Sequence, residues 1–181
     1  LARGGHPAAQ NALRRGLNDP TRGVRVAAAW VLHETVATNS LAGRELLAYL
    51  TYNSDQPAGE LQRGLFYMNR GDLPAAMNCF RRAVSWDKHS APLRHAWAVG
   101  LSMEGKPTEA GRELEEACRL APQDAELRYK LGLALNEANR PREALAALKQ
   151  ATELEPQYSQ AWYNLGLAYA ARGNDPAALE S

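Results

Sequence analysis

A period of 34 residues governs this chain from Pro57 onward. With blocks opening at Pro57, Ala91, Ala125 and Ser159, position eight is Gly64, Ala98, Gly132 and Gly166. Position twenty is Ala76, Ala110, Ala144 and Ala178. Position twenty-four is Phe80, Leu114 and Leu148, and position twenty-seven is Ala83, Ala117 and Ala151. Position thirty-two is Lys88, Pro122 and Pro156. No gap is needed to hold the register. A period of this size predicts stacked helical hairpins, each of which buries its apolar face only against its neighbours.

The punctuation inside each block agrees. Apolar residues follow helical spacing over two helices joined by a tight turn. The turns are Gly71-Asp72, Gly105-Lys106-Pro107, Asn139-Arg140-Pro141 and Gly173-Asn174-Asp175-Pro176. Gly or Asn ends the first helix, where a positive φ is wanted, and Pro opens the second, where a missing N–H costs nothing. Pro122 and Pro156 close the second helices, whereas block one has Lys88 there and exits differently. Small residues at positions eight and twenty let the two helix axes approach. Large ones at seven, eleven and twenty-four, such as Leu131, Leu135 and Leu148, fill the remaining space.

Residues 1–56 lack the period. Ala12–Leu17 and Val24–Leu32 are two helical patterns flanking a turn with Asp19-Pro20, and a further helix is expected from Leu41 to Tyr52. The domain reading is therefore 1–56, a helical hairpin with a linking helix, and 57–181, four repeats at 57–90, 91–124, 125–158 and 159–181. The fourth is read as truncated, and the chain, which opens on Leu1, as a piece of a longer protein.

Block four, with Ala161-Trp162-Tyr163-Asn164-Leu165-Gly166-Leu167-Ala168-Tyr169 and Ala178, resembles the tetratricopeptide repeat family. Block three follows with Leu131-Gly132, Ala144, Leu148, Ala151 and Pro156. Block two departs at Trp97-Ala98, and block one at Arg63-Gly64 and Lys88. The resemblance implies an all-α, right-handed α-solenoid of helix-turn-helix repeats. The first hairpin resembles a single HEAT repeat, which implies that Asp19 caps the second helix and Arg25 reaches back to the turn. A HEAT-like unit followed by tetratricopeptide units is also loosely similar to the C-terminal region of bacterial multihaem c-type cytochromes. That likeness implies a periplasmic location and haem motifs upstream; without it the cytoplasm is the expected compartment.

Bulk composition narrows the function. Hydrophobic residues make up 45% of the chain, enough for a core, and net charge is only +1. Nucleic acid and anionic membrane are therefore poor partners. No run of 18 apolar residues is present to span a bilayer. Cys79 and Cys118 form no C-x-x-C pair, and His6, His33, His89 and His95 include no i, i+4 pair, so no metal or cofactor is expected. No nucleophile motif or phosphate loop occurs. Glu113, Glu115 and Glu116 read as a solvated helix face. Trp30, Trp86, Trp97 and Trp162 read as packing residues.

The resemblance also says where a partner would bind, because such repeats expose their first helices on a concave wall. Position five there is Leu61, His95, Tyr129 and Tyr163, and position nine is Leu65, Val99, Leu133 and Leu167. Asn69, Asn136 and Glu137 stand at the margin. This wall suits a peptide or protein segment with apolar anchors, whose register the polar residues would fix. A carboxylate clamp of the kind one family variant carries is not matched, since only Lys130 among Leu61, Leu65, Ala96, Glu126 and Lys130 is cationic. The reading is a non-catalytic interaction scaffold. Its alternative is an accessory module of a larger multihaem cytochrome or other enzyme. Self-association through the truncated last repeat is a further expectation.

Overall fold

The computed structural model describes residues 7–171. Among them are ten α-helices and no strand. In chain order they are α1 (Pro7–Gly16), α2 (Arg22–Val31), α3 (Leu41–Tyr52), α4 (Pro57–Asn69), α5 (Leu73–Trp86), α6 (Ala91–Met103), α7 (Pro107–Leu120), α8 (Ala125–Glu137), α9 (Pro141–Leu154) and α10 (Ser159–Ala171). The fold class is all-α, as the period predicts. The chain divides into two compact units between Ala83 and Val84. That division falls inside α5 and is not a repeat boundary.

Three first helices end alike, and the reason is local. Gly71 (φ 79°), Gly105 (φ 73°) and Asn139 (φ 59°) adopt the left-handed conformation that the turn residues foretold. After α8, the Asn139 N–H donates to the Asn136 carbonyl at 3.0 Å and the Arg140 N–H to the Leu135 carbonyl at 2.8 Å. Gly71-Asp72 and Gly105-Lys106 repeat the same pair of bonds. These Schellman closures satisfy carbonyls that the helix end would leave open. Pro107 and Pro141 then start α7 and α9.

In the first unit, Ala29, Val36, Ala42, Leu46, Leu50 and Phe66 form one buried cluster. Arg25 clips α2 to α3: its guanidinium donates to both Glu45 oxygens, at 2.8 and 2.6 Å. It also donates to the carbonyls of Asp19 (2.6 Å) and Pro20 (2.8 Å), so it does reach back to the turn. Asp19 corrects its expectation. Its Oδ1 accepts from the Thr21 N–H at 2.8 Å, and Thr21, not Asp19, stands at the N-cap of α2. Asp19 lies too far back to reach the first turn and stiffens the approach instead.

The α4–α5 hairpin brings Gly64 against the Phe80 ring. Beside it Glu60 is fully buried. Its Oε1 pairs with Arg82 and, at 3.4 Å, with Arg63, while Oε2 has no hydrogen-bond partner among the described residues.

In the second unit the period becomes packing. Ala98, Ala110, Ala117 and Ala151 are fully buried, and Leu114 and Leu148 nearly so. A Cβ on Gly132 would lie 2.7 Å from Leu148 Cγ, so the axes of α8 and α9 cross at a point with no room for a methyl group. Arg94 joins α6 to α7 through Glu113 at 2.6 Å. Trp162 Nε1 donates to the Pro156 carbonyl at 3.0 Å. Trp86 departs from the packing role expected of the tryptophans, being about half exposed at 48%. The turn at Gly173–Pro176, Ala178 and the second helix of block four lie outside the described residues; of the face expected to self-associate, Leu165 is buried at 2% and Tyr169 packs partly against the same cluster.

Candidate interaction face

In the second unit, α6, α8 and α10 are the first helices of their blocks, and each carries one stripe of the expected wall. On α6, His95 and Val99 are four residues apart, hence on one face, and both are half-buried. Burial pushes the His95 ring toward a lower titration range, with Glu126 opposing and Lys130 reinforcing the shift. Its Nε2 is buried without a hydrogen-bond partner among the described residues. Met103, at the end of the same helix, is 56% exposed.

The α8 stripe behaves differently at its two ends. Tyr129, expected to line an open wall, is buried at 8% exposure. Its ring centroid lies 5.0 Å from that of Tyr158. Its hydroxyl accepts from Asn164 Nδ2 at 3.3 Å, and Lys130 Nζ stands 5.7 Å from its ring centroid. Tyr129 belongs to a buried cluster with Leu148, Ala151, Ala161 and Leu165, and Leu133 packs partly against that cluster. Asn136 and Glu137 are exposed at the C-terminal end of the helix. Burial pushes the Tyr158 hydroxyl up to about 12.

On α10 the stripe is open. Tyr163 is 68% exposed and Leu167 51%. Asn164, which the sequence did not single out, fixes the neighbouring tyrosine. The only signal for it is its place one residue after the stripe.

The first unit holds the other three residues, and it is described by itself. Leu61 and Leu65 are half-buried on α4. Asn69 is already engaged: His33 Nδ1 lies 2.6 Å from the Trp30 carbonyl and so carries the proton, and its Nε2 accepts from Asn69 Nδ2 at 2.8 Å. This bond joins the non-repeating hairpin to block one, which no reading of the period alone foresees.

Among the described residues no three His, Cys, Asp or Glu side chains gather as a metal would need. Cys79 and Cys118 are free and buried, and burial pushes both thiols up. No described helix is long and apolar enough to cross a membrane.

Known proteins share the repeat and the fold. Residues 61–90 and 129–181 match family models of the tetratricopeptide repeat. No curated protein matches the chain. Among solved structures, MamA (41-end) from Desulfovibrio magneticus RS-1 is 21% identical, with a TM-score of 0.70 over 96% of this chain and 88% of that one. YrrB, described as a TPR protein with an unusual peptide-binding site, is 24% identical, with a TM-score of 0.67 over 94% and 89%. The first TPR of Spaghetti (RPAP3), bound to the HSP90 peptide SRMEEVD, is 20% identical, with a TM-score of 0.63 over 66% and 95%. The chain therefore carries tetratricopeptide repeats, and its fold is that of tetratricopeptide-repeat proteins.

Proposed function

We propose that these tetratricopeptide repeats make the chain a non-catalytic docking module, and that the α6–α8–α10 face of the second unit takes a peptide segment with apolar anchors. The observation that carries this reading is the exposure of Tyr163 and Leu167, at 68% and 51%, in phase with half-buried Leu133 and Val99. Two large side chains left in water on one face of α10, continuing a half-buried stripe, are what a partner's apolar side chains cover; full burial of one such residue contributes about 1.5–3 kcal/mol. Asn136 and Glu137 flank the stripe and fix register through hydrogen bonds. Two similar folds are described with peptide sites, which supports the same use here.

The residues that carry binding are Tyr163 and Leu167 rather than Tyr129, whose removal would open a cavity. Peptides recovered by display against the folded protein should carry apolar anchors. Tyr163→Ala with Leu167→Ala should weaken their binding about tenfold or more by fluorescence anisotropy, as loss of central anchors does. The melting curve should be unchanged. Full-strength binding by the double variant would reject this face.

A further inference from the structure

The first unit carries a second groove, unrelated to the repeat period. It is lined by α2 and α3, with Gln62 of α4 beside them, and has a volume of about 880 Å³. Its shape comes from small residues set against large ones. Gly23 and Ala27, one turn apart on α2, line it together with Trp30 of the same helix, and Tyr49 and Tyr52 line it from α3. A Cβ added at Gly23 would meet nothing within 4 Å. Tyr52 is 84% exposed and Tyr49 43%, which for two tyrosines one turn apart is a large aromatic area left in water.

Polarity and charge say what fits. Arg22 is the one charged residue lining the groove, and no acidic side chain does. It is exposed and makes no hydrogen bond among the described residues; Glu45, which it helps keep ionised, is already gripped twice by Arg25. The Trp30 indole N–H, both tyrosine hydroxyls and the Gln62 amide are likewise without partners there. The lining is therefore rich in uncommitted donors and carries a single positive charge. A helical partner keeps its carbonyls for itself, whereas a polyproline II segment has no internal hydrogen bonds and presents them all. Aromatic-lined grooves receive such segments because the prolines stack on the rings and little entropy remains to be lost.

We propose that the α2–α3 groove is a docking site for an extended, proline-containing acidic peptide. The prolines lie against Trp30, Tyr49 and Tyr52, their carbonyls accept from the indole and amide groups, and a carboxylate pairs with Arg22. The site is separate from the α6–α8–α10 face and does not depend on it.

The test uses the full chain and a panel of short fluorescein-labelled proline- and leucine-containing peptides flanked by aspartate, serine or lysine, read by anisotropy. The aspartate set should bind most tightly, serine less and lysine least. Gly23→Trp, whose Cβ would meet nothing within 4 Å, and Tyr52→Ala, at an exposed position, should each weaken the aspartate set about tenfold or more. Arg22→Glu should reverse the charge order. Tyr163→Ala with Leu167→Ala should change nothing here. The proposal fails if no aspartate peptide binds, if the lysine set binds as well, or if Gly23→Trp and Tyr52→Ala leave affinity intact. It fails equally if Tyr52 is found covered by a second copy, seen as dimerisation that Tyr52→Ala abolishes.

Discussion

Gly132 and Gly111 answer a methyl group in opposite ways. At Gly132 a Cβ would stand 2.7 Å from Leu148 Cγ and 3.2 Å from the Ala144 carbonyl, so the crossing must open. Gly132→Ala should lower unfolding stability by about 1–3 kcal/mol, as overpacking does. At Gly111 the same atom meets only Leu135 Cδ2, at an ordinary 3.8 Å. Gly111→Ala should raise stability by about 0.4–1 kcal/mol, because a helix-interior glycine has more freedom to lose on folding. Urea denaturation of the pair checks both signs. Tyr158 supplies a pH prediction. Its hydroxyl ionises near 10 when unfolded and is pushed up to about 12 by burial. The raised value means the folded state holds its proton longer, so this contribution is complete below pH 10 and is lost as pH rises toward 12. Absorbance at the phenolate band should show a late-titrating component that Tyr158→Phe removes.

At the scale of elements, the turns were the most readable part of the sequence. Gly71, Gly105 and Asn139 occupy the left-handed positions because only a residue tolerant of positive φ closes a Schellman end. The expected span of α3, Leu41 to Tyr52, is the observed one. Asp19 misled because a carboxylate near a helix start serves equally well in a turn two residues earlier. The α4–α5 hairpin holds something no pattern revealed: a fully buried carboxylate at Glu60 beside Arg63 and Arg82. Removing a partner of a buried charge costs more than the pair contributes, because the remaining charge is stranded. Arg82→Ala leaves Glu60 with Arg63 alone and should destabilise by about 1–3 kcal/mol in a chemical melt. Arg119→Ala, at the exposed i, i+3 pair with Glu116, should leave the chemical melt where it was.

At the scale of the molecule, fold and site were legible to different degrees. The fold is written in small residues at helix crossings, which repeat and can be counted. The proposed site is written in exposure, which depends on what the neighbouring helix happens to offer. Tyr129 and Tyr163 hold the same position of successive blocks, yet Tyr158 and Asn164 cover one and leave the other open. Asn69 is taken by His33 from outside the period. The α2–α3 groove was invisible for the same reason, since Gly23 and Tyr52 become neighbours only once the hairpin folds.

The alternation of 13- and 14-residue helices from α4 to α10 has an evolutionary corollary. One residue gained or lost within a helix would turn every later side chain by about 100°, swinging interior alanines toward water and charged groups inward. Such lesions would be purged, while duplication or loss of a whole block would leave each face correctly aimed. Lineages descended from this chain should thus differ in length by multiples of one hairpin, or at the loops alone.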